Sequence, residues 1–245
     1  MADPQQTAAP ASPPAPGVGL AKGEVTVQEL TRVQQLIARR AAESRATVPS
    51  YDVTVAVDAE ALLALRERRL AAQEPVPTVT ELVVGAVGRA LREHPRLNGA
   101  YRDARVELHE RVNVAVMVGT PEALYAPVIV DADRATVEEI GDQLRRLAAR
   151  VREGEIEARE LSGATFTVAN LGMHGVDRFA AVITPPQAAI LSVGAAAPRA
   201  VVRDGAVVAR ATMDLTLSCD HRIVYGEHAA AFLARVRDLL ERAEV

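Results

Sequence analysis

The chain has 245 residues, 49 % of them hydrophobic, enough to build the core of one large domain or two small ones. No apolar run approaches the roughly 20 residues that span a bilayer, and no charged-then-apolar signal segment opens the chain, so a soluble, cytoplasmic protein with no membrane partner is expected. A formal charge of −4 gives no electrostatic reason to expect nucleic acid, and the single cysteine, Cys219, excludes an internal disulfide or a cysteine-only metal site.

Residues 1–23 form an Ala/Pro/Gln/Gly tail with Pro4, Pro10, Pro13, Pro14 and Pro16, and disorder is expected there. Beyond it, residues 24–245 read as one domain. Leu30, Val33, Leu36 and Ile37 fall at helical spacing, and Pro49 closes that helix. Tyr51 to Val57 alternates like a half-buried strand. Residues 59–71 read as a helix, broken by Pro75 and Pro77. Thr78 or Thr80 then caps a helix carrying Leu82, Val83, Ala86, Val87, Ala90 and Leu91, which stops before Pro95. Asn98 in Leu97-Asn98-Gly99 reads as a turn residue. Strands are expected over 105–109, 112–118 and 127–130.

Thr136 starts a long amphipathic helix through Val151. Strands follow at 165–169 and 188–194, then at 207–208 and 212–218, with a hairpin around Asp204-Gly205. A last helix covers 227–242. Interspersed helices and strands predict one mixed α/β domain.

His221, at the end of the 212–220 strand, is followed by Arg222-Ile223-Val224-Tyr225-Gly226. A histidine there is placed to act as a general base, since free imidazole takes up a proton near neutral pH. His94, His109 and His228 have no second ligand at useful spacing, so no metal site is expected.

The His221 segment, together with Phe166-Thr167-Val168-Ala169-Asn170-Leu171-Gly172-Met173, Thr184-Pro185-Pro186-Gln187 and His94-Pro95-Arg96-Leu97-Asn98, resembles the catalytic domain of the dihydrolipoamide acyltransferases. So do Val112-Asn113-Val114-Ala115-Val116, Ala126-Pro127-Val128-Ile129 and Asp131-Ala132-Asp133. The likeness runs in order over about 27–245. It implies the chloramphenicol acetyltransferase-like mixed sheet with flanking helices and assembly as a homotrimer or a multiple of three. It also implies acyl-CoA, most simply acetyl-CoA, as co-substrate in a channel between subunits. His221 would deprotonate the acceptor, which attacks the thioester carbonyl; the oxyanion then collapses with loss of CoA thiolate.

The chain departs from the family pattern in three ways. No lipoyl domain precedes the catalytic domain, so no lipoyl group is expected on this chain. Tyr225 stands where the family's histidine motif has Asp, an acid that pairs with an arginine; Glu227 or Asp220 would substitute, with Arg39 or Arg40 as the cation. Ala169 stands where the family commonly has an oxyanion-stabilising Ser. Tyr225 either fills the volume of the lost ion pair or bonds the transition state, and Asn170, Thr167 or backbone amides near Gly172 are other donors. His174 is expected in a loop near the channel. Ser218 and Asp220 flank the base and either meet CoA or satisfy backbone groups.

Three functions follow. The first reading is a freestanding acyltransferase placing an acetyl group on a hydroxyl of a small molecule, as in tetronate O-acetylation in a natural-product pathway. The donor is CoA or a carrier-protein thioester, which adds an acyl carrier protein to the partners considered. The second is a dihydrolipoamide acyltransferase core served by a separate lipoyl protein. The third is a non-catalytic scaffold.

Overall fold

The computed structural model describes residue 23, residues 25–121 and residues 123–244. The expected disordered tail lies, except for Gly23, outside the described residues.

Helix α1 (Arg32–Thr47) opens with a capping box between Thr31 and Gln34 and leads into strand β1 (Ser50–Asp58). Helices α2 (Glu60–Ala71) and α3 (Val79–Glu93) follow. Thr78, not Thr80, caps α3: its hydroxyl accepts the Glu81 amide while the Glu81 carboxylate accepts the Thr78 amide. A hairpin of β2 (Gly99–Arg102) and β3 (Arg105–Leu108) comes next. Asn98 closes a turn over 95–98, as expected, but β2, which begins at Gly99, was not expected. The Asn98 side chain donates to the carbonyls of His109 and Arg111, which ties off the base of the hairpin.

The expected strand over 112–118 is shorter and divided into β4 (Val114–Val116) and β5 (Val118–Gly119); β5 pairs with β6 (Leu124–Tyr125). Then come β7 (Val128–Ile129), α4 (Val137–Glu153), β8 (Phe166–Asn170), β9 (Ala189–Val193), β10 (Ala197–Arg203), β11 (Ala206–Asp220) and α5 (Gly226–Glu241). The expected strands at 207–208 and 212–218 are one strand, β11, because β10 pairs with its first half and β1 and β9 with its second.

The main sheet is mixed, in the order β1-β11-β9-β8-β4-β7, with β10 beside β11. Strand β8 runs parallel to β4 and β9, and the other pairs are antiparallel. One sheet face carries Phe166, Val168, Leu191, Val193, Leu215 and Leu217, fully buried in the core with α3 and α5. The other face presents small and polar side chains: Asp52 and Thr54 of β1, Thr216 and Ser218 of β11, Ser192 of β9, Thr167 and Ala169 of β8. Its apolar cover is a small cluster of Val48, Ala169, Ile183 and Ile190 with Phe179 and Ala181 against it.

The chain over 175–187 crosses this second face. Arg178 pairs with Asp214, and Arg199 of β10 pairs with Asp177. The crossing is close enough to require glycine: a Cβ at Gly172 would lie 2.6 Å from the Gly194 carbonyl oxygen, and one at Gly194 would strike the Asp177 carbonyl. Among the described residues no helix is long and apolar enough to cross a membrane.

Candidate active site

His221 stands in the turn between β11 and α5, and that turn is held from several sides. Its amide donates to the Pro49 carbonyl at 3.0 Å, and the Ile223 and Val224 amides donate to the Asp220 carbonyl at 3.0 and 2.9 Å. Asp220 is 1 % exposed. Its carboxylate accepts the Arg222 backbone amide at 3.0 Å and the Arg222 guanidinium twice, at 2.9 Å and 2.6 Å. The Arg222 guanidinium lies 4.0 Å from the Tyr101 ring centroid, and Arg96 donates to the Ile223 carbonyl at 3.2 Å. The buried ion pair of this turn is Asp220 with Arg222. The expectation of Arg39 or Arg40 as the cation is corrected: both are exposed on α1, and the neighbour in the same turn reaches the buried carboxylate.

The His221 ring is exposed and sits between two tyrosines, with centroids 4.8 Å from Tyr51 and 5.7 Å from Tyr225. The Tyr51 hydroxyl donates to the Val224 carbonyl at 3.2 Å, and burial raises its pKa above the ordinary tyrosine range. Burial also pushes the Cys219 thiol up to about 12. Ser218 is buried and donates to the Asp52 carboxylate at 2.5 Å. Both Ser218 and Asp220 thus spend their polar atoms inside this chain.

Ala169, Asn170, Gly172 and His174 form a second group at the C-terminal end of β8. The Asn170 side chain accepts the Gly172 amide at 2.7 Å and donates to the Thr80 hydroxyl at 2.8 Å. Gly172–His174 form a single 3-10 turn, and Met173 is 74 % exposed. A cleft of about 720 Å³ opens beside them, lined in part by Arg66, Thr80, Arg145, Arg152, Asn170 and Gly172. Sequence reasoning missed the arginines and took Thr80 only as a cap. The spacing of Arg145 and Arg152, two turns apart on one helix face, was the signal available. Among the described residues no cluster of three His, Cys, Asp or Glu is arranged to hold a metal ion.

The two groups do not meet within one copy. Ala169 is in register with Ser192 and Thr216, and His221 lies five residues beyond Thr216, two strands away. At about 3.3 Å per residue and 4.8 Å per strand the separation is on the order of 15–20 Å.

The family model for 2-oxoacid dehydrogenases acyltransferase (catalytic domain) matches residues 22–245. A dihydrolipoyllysine-residue acetyltransferase, component 3 of the mitochondrial pyruvate dehydrogenase complex of Arabidopsis thaliana, is 38 % identical over 218 residues, 86 % of this chain and 40 % of that protein. The dihydrolipoamide acetyltransferase of Azotobacter vinelandii, solved to study a serine, a histidine and an asparagine in its catalytic mechanism, superposes with a TM-score of 0.88 at 30 % identity, covering 95 % of this chain and 98 % of that one. A chloramphenicol acetyltransferase shares the fold alone, with a TM-score of 0.50 at 17 % identity over 82 % of this chain and 94 % of that one. The chain spans about half, or less, of the length of the curated relatives it matches.

These relatives overturn the first functional reading. They are acetyltransferase components of pyruvate dehydrogenase complexes, and nothing among them supports a freestanding natural-product enzyme, a small-molecule hydroxyl acceptor or an acyl carrier protein. The altered residues Ala169 and Tyr225 drew the expectation away from the overall likeness, which runs through residues 22–245. This chain belongs to the family of 2-oxoacid dehydrogenase acyltransferase catalytic domains.

Proposed function

We propose that this chain moves an acetyl group between CoA and a dihydrolipoyl thiol in a 2-oxoacid dehydrogenase complex. One observation carries the reading: His221 stands exposed on a turn held by Asp220, Arg222, Arg96 and Pro49. In the Azotobacter vinelandii enzyme the serine precedes the histidine by fifty-two residues and the asparagine follows it by four. Counted from His221, those places are Ala169 and Tyr225.

In this mechanism His221 takes the proton from the attacking thiol, whose pKa is close enough to that of imidazole for efficient transfer. The sulfur attacks the thioester carbonyl, the C–S bond to the leaving thiol breaks, and the leaving sulfur recovers the proton from His221. The reverse transfer uses the same groups. Ala169 offers no hydroxyl to the tetrahedral oxyanion. Loss of one such donor costs about 10²–10³ in rate, so a slower enzyme is expected unless backbone amides near Gly172 serve.

The cleft beside Asn170 is the proposed seat of CoA, with Arg152 of α4 and Arg66 of α2 as cations at its wall. Because Ala169 and His221 are separated within one copy, a complete site needs two copies. The lightly covered sheet face and α1, which leaves Leu30, Val33 and Leu36 exposed, supply surface for that contact. The family resemblance supports three as the number of copies.

Two measurements test this reading. Acetyl transfer from acetyl-CoA to dihydrolipoamide should proceed and should fall at least about 10² in His221→Ala, the usual worth of a positioned general base. Light scattering should give a trimer or a multiple of three. A stable, active monomer, or wild-type turnover in His221→Ala, would overturn it.

A further inference from the structure

Four rings form a continuous row at the end of β11: Tyr51, His221, Tyr225 and His228, with successive centroids 4.8, 5.7 and 5.6 Å apart. The interplanar angles of 68° and 58° on the two sides of His221 are the inclined contacts that aromatic rings favour. We propose that Tyr225 is a positioning residue that holds the His221 imidazole through its ring, not through its hydroxyl, at the place where the Azotobacter vinelandii relative has an asparagine. The proposal rests on the reading of His221 as the base.

Both flanking tyrosines are themselves fixed. Tyr51 is anchored by its hydroxyl to the Val224 carbonyl, within the His221 turn. Tyr225 is anchored by its backbone as the N-cap of α5. Its carbonyl accepts the Ala229 amide at 3.1 Å, and its own amide donates to His228 Nδ1 at 3.3 Å. The His228 ring then packs on the far side of Tyr225.

An asparagine or aspartate at this position would act through hydrogen bonds. Here the contact between Tyr225 and His221 is ring to ring, and Tyr225 is 50 % exposed. The charged pair of this turn is Asp220 with Arg222, and Tyr225 takes no part in it.

The test compares Tyr225→Ala and Tyr225→Phe in the assembled protein. In Tyr225→Ala, kcat for acetyl transfer to dihydrolipoamide should fall between about 10-fold and 10²-fold, the penalty for a misplaced reacting group, with KM for acetyl-CoA nearly unchanged. Tyr225→Phe should recover most of that loss. A second readout is independent of turnover: carbethoxylation of His221 by diethylpyrocarbonate, followed by peptide mass spectrometry, should be several times faster in Tyr225→Ala and close to wild type in Tyr225→Phe. If Tyr225→Phe is as impaired as Tyr225→Ala, the hydroxyl is the working part and the proposal fails. If Tyr225→Ala matches wild type in both readouts, it fails as well. Should the wild-type protein not acetylate dihydrolipoamide, the functional reading falls, and the carbethoxylation rates still decide the role of Tyr225.

Discussion

The two faces of the main sheet are built to different rules. The helix-covered face buries Phe166, Val168, Leu191, Leu215 and Leu217 without residual exposure, under α3 and α5. The opposite face carries Asp52, Thr54, Thr216, Ser218 and Ser192, bonded largely to one another and crossed by a single loop. The first face supplies the stability of one copy. On the second, the polar groups are satisfied and only the β1 edge, with Asp52, Thr54 and Ala56, is exposed, which suits contact with another copy because it is not a hydrophobic liability when bare. Both Ala169 and the polar row lie on this second face, and His221 stands at its edge. Stability and chemistry are thus separated by the alternation of side chains along each strand.

The sharpest way to break that comparison is to hollow out the helix-covered face. Phe166→Ala should destabilise the fold by about 3–5 kcal/mol, the usual cost of removing a buried aromatic ring, read as a shift in the denaturant midpoint. A loss under about 1 kcal/mol would mean that this face is not where the stability lies.

The second face should behave in the opposite way. Ala56 is exposed on β1, in register with Asp214. Ala56→Arg should leave the stability of one copy within about 0.5 kcal/mol, as exposed substitutions usually do, while lowering the assembled mass seen by light scattering. Unfolding of the variant, or unchanged assembly, would show that the face is not an interface.

Chemistry on that face is tested by Ala169→Ser. The added hydroxyl should raise turnover, by up to about the 10²-fold worth of one oxyanion donor. An inert substitution would show that position 169 does not reach the transition state and would leave oxyanion binding to backbone amides.

The smallest effect concerns Cys219, in register with Tyr51 and buried against the core. With its thiol pushed up to about 12 by burial, it should stay unmodified by iodoacetamide at pH 8 in the folded protein and react only on unfolding. Rapid labelling of the native protein would place it outside the core.

Much of this molecule was legible in its sequence. The capping boxes at Thr78 and Thr136, the apolar periods of α3 and α4 and the turn at Asp204-Gly205 all act within a few residues, so they speak for themselves. His221 was identifiable because a titratable ring at a strand end stood inside a family pattern. The partners of that ring were not identifiable. Tyr51 lies 170 positions away in sequence and reaches His221 only because β1 pairs with β11. The preference for Asp220 as the partner of Arg222 depends on the tight turn between them. The distance between Ala169 and His221 follows from strand order, which sequence patterns do not encode. Local hydrogen bonding and hydrophobic period therefore determined the elements and the candidate base. Strand pairing across long chain separations decided which side chains surround that candidate base, and why Ala169 and His221 lie apart within one copy.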